Sequence, residues 1–133
     1  MASKSDFLEN AILNHMVGGP DYARPATLYF ALYTSAPTDA GGGTEVAGGS
    51  YARAAVTNNA NNFPAAVSGL KSNAVAIPYA AASAAWGNAT HFGIFDALVG
   101  GNLLFHNSLT VPRSIGSGDQ YTFSINAIQF TES

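Results

Sequence analysis

The stretch Thr27-Leu28-Tyr29-Phe30-Ala31-Leu32-Tyr33-Thr34 repeats with a period of two, not 3.6, and therefore reads as a β-strand. Leu28, Phe30 and Leu32 fall on one side of it, and Tyr29, Ala31 and Tyr33 on the other. A strand that is apolar on both faces must be covered on both, so it is expected in the centre of a sheet. The rest of the chain is read by what can flank such a strand.

Towards the N-terminus the period changes. From Ser3 to Val17, the residues Phe7, Leu8, Ala11, Ile12, His15 and Met16 recur at helical spacing and make one apolar stripe. Ser3-x-x-Asp6 fits a capping box with Asp in place of Glu, and Gly18-Gly19-Pro20 supplies the stop. The helix either packs on its own domain or serves as an arm that docks on a neighbour. The expected organisation is an N-terminal helix or arm over 1–19 and a single β-rich domain over 20–133.

Towards the C-terminus, Ser35–Ser50 is too rich in glycine for an element and too long for a hairpin loop, so it is expected to run over the surface. Tyr51–Thr57 alternates again, Asn58–Pro64 carries turn residues, and Ser72–Pro78 reads as a short strand containing Val75 and Ile77. Ala80–Ala85 is almost all alanine, but it is short and lies between Pro78 and Trp86-Gly87, which makes it a loop or a single turn. Thr90–Asp96 and Asn102–Asn107 are strands joined by a hairpin-length connection at 97–101. Tyr121–Phe130 is the last strand. In it Tyr121, Phe123 and Ile125 are in phase and Ile128 and Phe130 one residue out, which predicts a β-bulge near Asn126-Ala127.

One helix followed by about six short strands gives a mainly β chain, an antiparallel β-sandwich or small barrel with one N-terminal α-helix. Strands and helices do not alternate, which excludes a doubly wound α/β fold. Leu28, Phe30, Leu32, Trp86, Phe92, Ile94, Phe123 and Ile125 are the expected core anchors.

Composition narrows the function. The chain has 133 residues, 47% hydrophobic and 10% charged, against a usual charged share of about 25%. Its surface must therefore be unusually neutral, which suits burial between subunits. A net charge of −3 with only five scattered basic residues opposes direct nucleic-acid binding. With no cysteine there is no disulfide framework. Met1–Asp6 has no secretory pattern and no run approaches ~18 apolar residues, so neither export by a signal nor a membrane span is expected.

Chemistry is sparse. The chain lacks a Gly-x-Ser-x-Gly elbow, a Walker-type loop and a His-Glu-x-x-His pair. Gly41-Gly42-Gly43 runs into Thr44-Glu45, not into a helix start, and a carboxylate there opposes phosphate. His15, His91 and His106 have no ligand spacing among themselves. Asp96 is placed to cap the turn into Gly100-Gly101. The expectation is a non-enzymatic protein with no catalytic residues, cofactor or metal.

Three stretches carry a resemblance: Ala36-Pro37-Thr38-Asp39-Ala40-Gly41-Gly42-Gly43-Thr44-Glu45-Val46, Gly48-Gly49-Ser50-Tyr51-Ala52-Arg53, and Trp86–Asp96 leading to Gly100-Gly101-Asn102-Leu103-Leu104. With the Ser5–Leu13 opening they resemble a family of small tailed-phage virion proteins, often labelled tail fibre protein. The segment Asn58–Lys71 departs from that pattern. The resemblance implies a particle component assembled in the host cytoplasm, contacting itself as a trimer or dimer and a major capsid or tail protein. Capsid decoration, as a cement protein on the head lattice, is the expected role. The alternatives are a tail-associated collar, ring or short fibre module, or a host-glycan module with Trp86 and Tyr79 or Tyr51 exposed in a groove. Phe7, Leu8, Ile12 and Met16 on the helix, with Glu45 and Val46 in the loop, are the expected contact residues.

Overall fold

The computed structural model describes residues 2–132. In chain order its elements are β1 (Ser3–Lys4), α1 (Asp6–Met16), β2 (Thr27–Ser35), β3 (Thr44–Glu45), β4 (Ala54–Thr57), β5 (Leu70–Ser72), β6 (Ile77–Pro78), β7 (Gly87–Phe95), β8 (Leu103–Ile115), β9 (Thr122–Phe123) and β10 (Gln129–Thr131). The main sheet runs β1-β8-β7-β2-β3, and β4 also pairs with β2. Two ribbons, β5 with β10 and β6 with β9, stand apart from it. All these pairings are antiparallel. The sheet does not close, so the fold is sandwich-like and not a barrel.

The alternation in β2 decides the layering. Leu28, Phe30 and Leu32 point to the side covered by the ribbons, where Phe63, Ile77, Tyr79, Phe123 and Ile128 complete the main core. Tyr29, Ala31 and Tyr33 point the other way and form a smaller cluster with Phe95 and Leu103. Phe30, Leu32, Ile77 and Ile94 are fully buried, each worth ~1.5–3 kcal/mol of apolar burial. On the smaller face Gly93 leaves the space: a Cβ there would sit 3.0 Å from both Leu103 Cδ1 and Tyr33 Cε1. Leu28, Phe30, Leu32, Trp86, Phe92, Ile94 and Phe123 all lie in the main core.

Ile125 does not; it is 57% exposed. The expected single strand Tyr121–Phe130 is instead two, β9 and β10, separated by a turn in which Ala127 N donates to Ser124 O (3.0 Å). Asn126 occupies a left-handed conformation there (φ 67°), which Asn tolerates better than most residues. The slip in apolar phase therefore marks a turn between ribbons, and Ile125 sits at its outer corner. Asn73 anchors that turn from within. Its Oδ1 accepts from Ile128 N (3.0 Å) and its Nδ2 donates to the carbonyls of Val75 (2.8 Å) and Ser124 (3.0 Å), so this fully buried amide has both of its polar ends paired.

Other boundaries differ for physical reasons. The helix begins at Asp6 because Ser5 is the cap: its hydroxyl accepts from Leu8 N (3.2 Å) and donates to the Leu103 carbonyl. Ser3 and Lys4 pair with Phe105 and His106 on β8 instead. The glycine-rich 35–50 segment contributes β3, which folds back on β2. The 72–78 candidate divides between β5 and β6. β8 continues to Ile115 through Pro112, and the pairing with β7 slips between His91/Ser108 and Ala89/Arg113, where a proline with no N–H is accommodated as a bulge.

Candidate docking surfaces

Glu45 of the Ala36–Val46 stretch and Arg53 of the Gly48–Arg53 stretch meet beside Phe95, on the smaller face of the sheet. Arg53 meets Glu45 side by side: Nε donates to Oε2 and Nη2 to Oε1, both at 2.9 Å. Its Nη1 donates to the carbonyls of Ala97 and Gly100, each at 2.8 Å. The guanidinium carbon lies 3.7 Å from the centre of the Phe95 ring, a cation–π contact on a largely dry face. Glu45 also accepts from the Tyr51 hydroxyl (2.7 Å), which in turn accepts from Leu32 N (3.0 Å). One ion pair thus fastens β3, the β4 approach and the 97–100 hairpin to the central strand.

Electrostatics follow from that burial. Burial opposes the Arg53 charge, but the hydrogen bonds and charge of Glu45 outweigh it and leave the guanidinium more basic than usual. Burial, then the Glu45 charge, pushes the Tyr33 phenol up to about 12. Tyr51 is raised further, chiefly by burial, with Glu45 adding to it. Four of the five Arg53 N–H groups are used inside the chain, so the network fastens these segments together.

The aromatic groove expected of a glycan module is absent from its expected place. Trp86 and Tyr79 are 5% and 2% exposed, and their polar atoms face inward. Trp86 Nε1 donates to Gly49 O (2.8 Å) and the Tyr79 hydroxyl to Phe30 O (2.7 Å). Gly49 permits this approach: it is left-handed (φ 58°), and a Cβ would lie 2.7 Å from Ala84 O and 2.9 Å from the indole. Trp86 and Tyr79 are core and half-buried Tyr51 packs against them, the three rings in mutual contact at 5.3–6.3 Å.

The histidines are dispersed. His15 Nδ1 accepts from Tyr22 N (3.1 Å), His91 Nδ1 pairs with Thr90 Oγ1 (2.8 Å), and His106 Nε2 pairs with Asp39 Oδ1 (2.7 Å). Asp96 caps the hairpin, accepting from Asn102 N (2.7 Å) and Asn102 Nδ2 (3.0 Å). Among the described residues, the acidic or histidine side chains close enough to share an ion are Asp6, Glu9 and Asp39, all exposed.

The expected contact residues divide. Leu8 and Val46 are buried (4% and 5%), Val46 because its N–H pairs with Leu32 O (2.9 Å) in the sheet; both are core and offer nothing to a partner. Glu45 is bound to Arg53. Ile12 is half-buried, Phe7 is 41% exposed and Met16 72%. The helix is held at its first turns, with Leu8 in the main core, while its end projects. Leu13 (64%) and Val17 (77%) are further exposed apolar residues, lying off the stripe that carries most of the helix's apolar positions.

Beside the helix lies an apolar groove of about 610 Å³, lined by Leu8 and Ile12 of α1, Phe63 and Ala65 of the intervening loop, Phe105 of β8 and Phe130 of β10. Its charged lining residues are Arg24 and Lys71. Segments this far apart in the chain give no local sequence signal for a groove. The Glu45–Arg53 pair was not expected, although these are the only charges between residues 40 and 57 and are of opposite sign.

A family model described as Podophage GP4 fiber I protein gp80 matches residues 3–131. The chain belongs to that family. No curated protein matches it. Membership makes the chain a structural component of a bacteriophage particle of the tail-fibre type, and the matched span includes the Arg53–Glu45 network, the projecting helix and the groove.

Proposed function

We propose that this chain is a non-enzymatic, tail-associated fibre module of a podophage particle, acting through contacts with neighbouring subunits. The fibre description of a family matched over nearly the whole chain carries the reading and favours the tail over the head-decoration role expected from composition. The surface supports it. Charged residues make up 10% of the chain, and large apolar side chains stand exposed at the helix end, at Leu98 and Val99 of the 97–101 hairpin and at Val111 of β8. Such a skin is suited to being covered. The organised polar groups, Arg53 with Glu45 and Asn73, are satisfied internally, which leaves them to hold loops in shape.

The mechanism is repetition. Each copy contributes a modest contact, and identical contacts around a symmetric assembly hold together although no one of them is strong. Antibody fragments raised against the purified chain, bound to intact particles and viewed by negative stain, test the placement. Label on the tail is expected; label spread over the capsid faces overturns the reading in favour of decoration.

A further inference from the structure

Two surfaces of this molecule complement each other but do not meet within one chain. The first is the groove, apolar throughout most of its lining, with Arg24 and Lys71 as its charged members; among the described residues neither is in a salt bridge. The second is the outer face of α1. Asp6, Glu9, Leu13 and Met16 follow a 3-4-3 spacing and are all exposed; Asp6, Glu9 and Leu13 lie on the side of the helix turned away from Leu8, and Met16, which also ends the Leu8–Ile12 row, lies at the border of the two sides. The first half of this face is anionic, crowded further by Asp39, and its second half is apolar.

We infer that the outer face of α1 from one copy seats in the groove of a second copy, with Leu13 and Met16 in the apolar lining and the Asp6–Glu9 end against Arg24 and Lys71. A helix laid into an apolar groove by residues at this spacing is a recurrent docking mode. Charge sets the direction: the anionic end can approach the cations only one way round. The surfaces are unlike, so the contact is head-to-tail and every copy offers both halves. The 58–71 segment supplies part of the groove and Lys71 itself. The inference deepens the fibre-module reading by naming its contact. It is read in solution and the tail placement on the particle, so the two fail separately.

The test is sedimentation equilibrium of the full chain over a range of concentrations, with thermal melts to confirm folding. The wild type is expected to associate. Leu13→Asp, at a position exposed in the monomer, should weaken association about tenfold or more. Arg24→Glu should weaken it too, and Glu9→Arg combined with Arg24→Glu should restore most of it. A wild type that stays monomeric overturns the inference, as does association indifferent to Leu13→Asp, or a double variant no better than Arg24→Glu alone. Saturable binding of dodecanoate by a non-associating wild type would assign the groove to a small apolar acid instead.

Discussion

Arg53 and Glu45, eight residues apart, face each other through two parallel hydrogen bonds of 2.9 Å, with the Arg53 side chain only 8% exposed and Glu45 26%. Three segments are tied to that pair: the 97–100 hairpin through its carbonyls, Phe95 through its ring, and the central strand through Tyr51. The pair holds a long glycine-rich loop that has little apolar surface with which to anchor itself.

Removing one partner leaves the other charge without compensation in a poorly solvated place. Arg53→Met should therefore destabilise the fold by about 3 kcal/mol, measured by urea unfolding. Glu45→Leu together with Arg53→Met should cost less than Arg53→Met alone, because no charge is then stranded.

Asn73 predicts a second large loss. Asn73→Ala strands the Ile128 N–H and the carbonyls of Val75 and Ser124, a penalty of about 2–4 kcal/mol. Amide exchange at Ile128 should accelerate more than at Phe30, since the damage is confined to the turn joining β9 to β10.

The same turn separates two isoleucines only three residues apart. Ile125→Ser should change stability by no more than about 0.5 kcal/mol because the side chain is exposed. Ile128→Ala, at a position 1% exposed, should cost about 2–5 kcal/mol. Thermal melts of the two variants decide this, and equal losses would contradict the turn.

Alkali should unfold the protein. The phenols of Tyr33, Tyr51 and Tyr79 are all raised by burial, so the folded state keeps protons that the unfolded chain gives up near pH 10. Stability is thus intact below that pH and falls as pH rises towards about 12, the folded value for Tyr33. Tyrosinate absorbance should appear in two steps, exposed phenols first and buried ones together with loss of near-ultraviolet circular dichroism.

The parts of the fold legible in the sequence are those set by local period. The alternation over 27–34 identifies the central strand and its two faces, and the 97–101 connection identifies the β7–β8 hairpin. The slip between Ile125 and Ile128 was ambiguous, because a bulge and a turn shift the apolar phase alike; only the pairing of each half with a different ribbon separates them. β1, β3 and β6 are two residues long, too short for any period to register. Helix exposure was half-legible: the stripe through Leu8 and Ile12 predicts which face is covered, but not that coverage ends before Met16. The groove brings Leu8 beside Phe63 and Phe130, a contact set by tertiary packing alone.

We propose that this chain is built into the phage tail through contacts between neighbouring subunits. Cryo-electron microscopy of intact particles, with localised reconstruction of head and tail, tests it most directly. Density matching the six-stranded sheet and its projecting helix is expected on the tail, with each copy touching another subunit through that helix or the groove. The same density on the capsid lattice, or its absence from the tail, would contradict it.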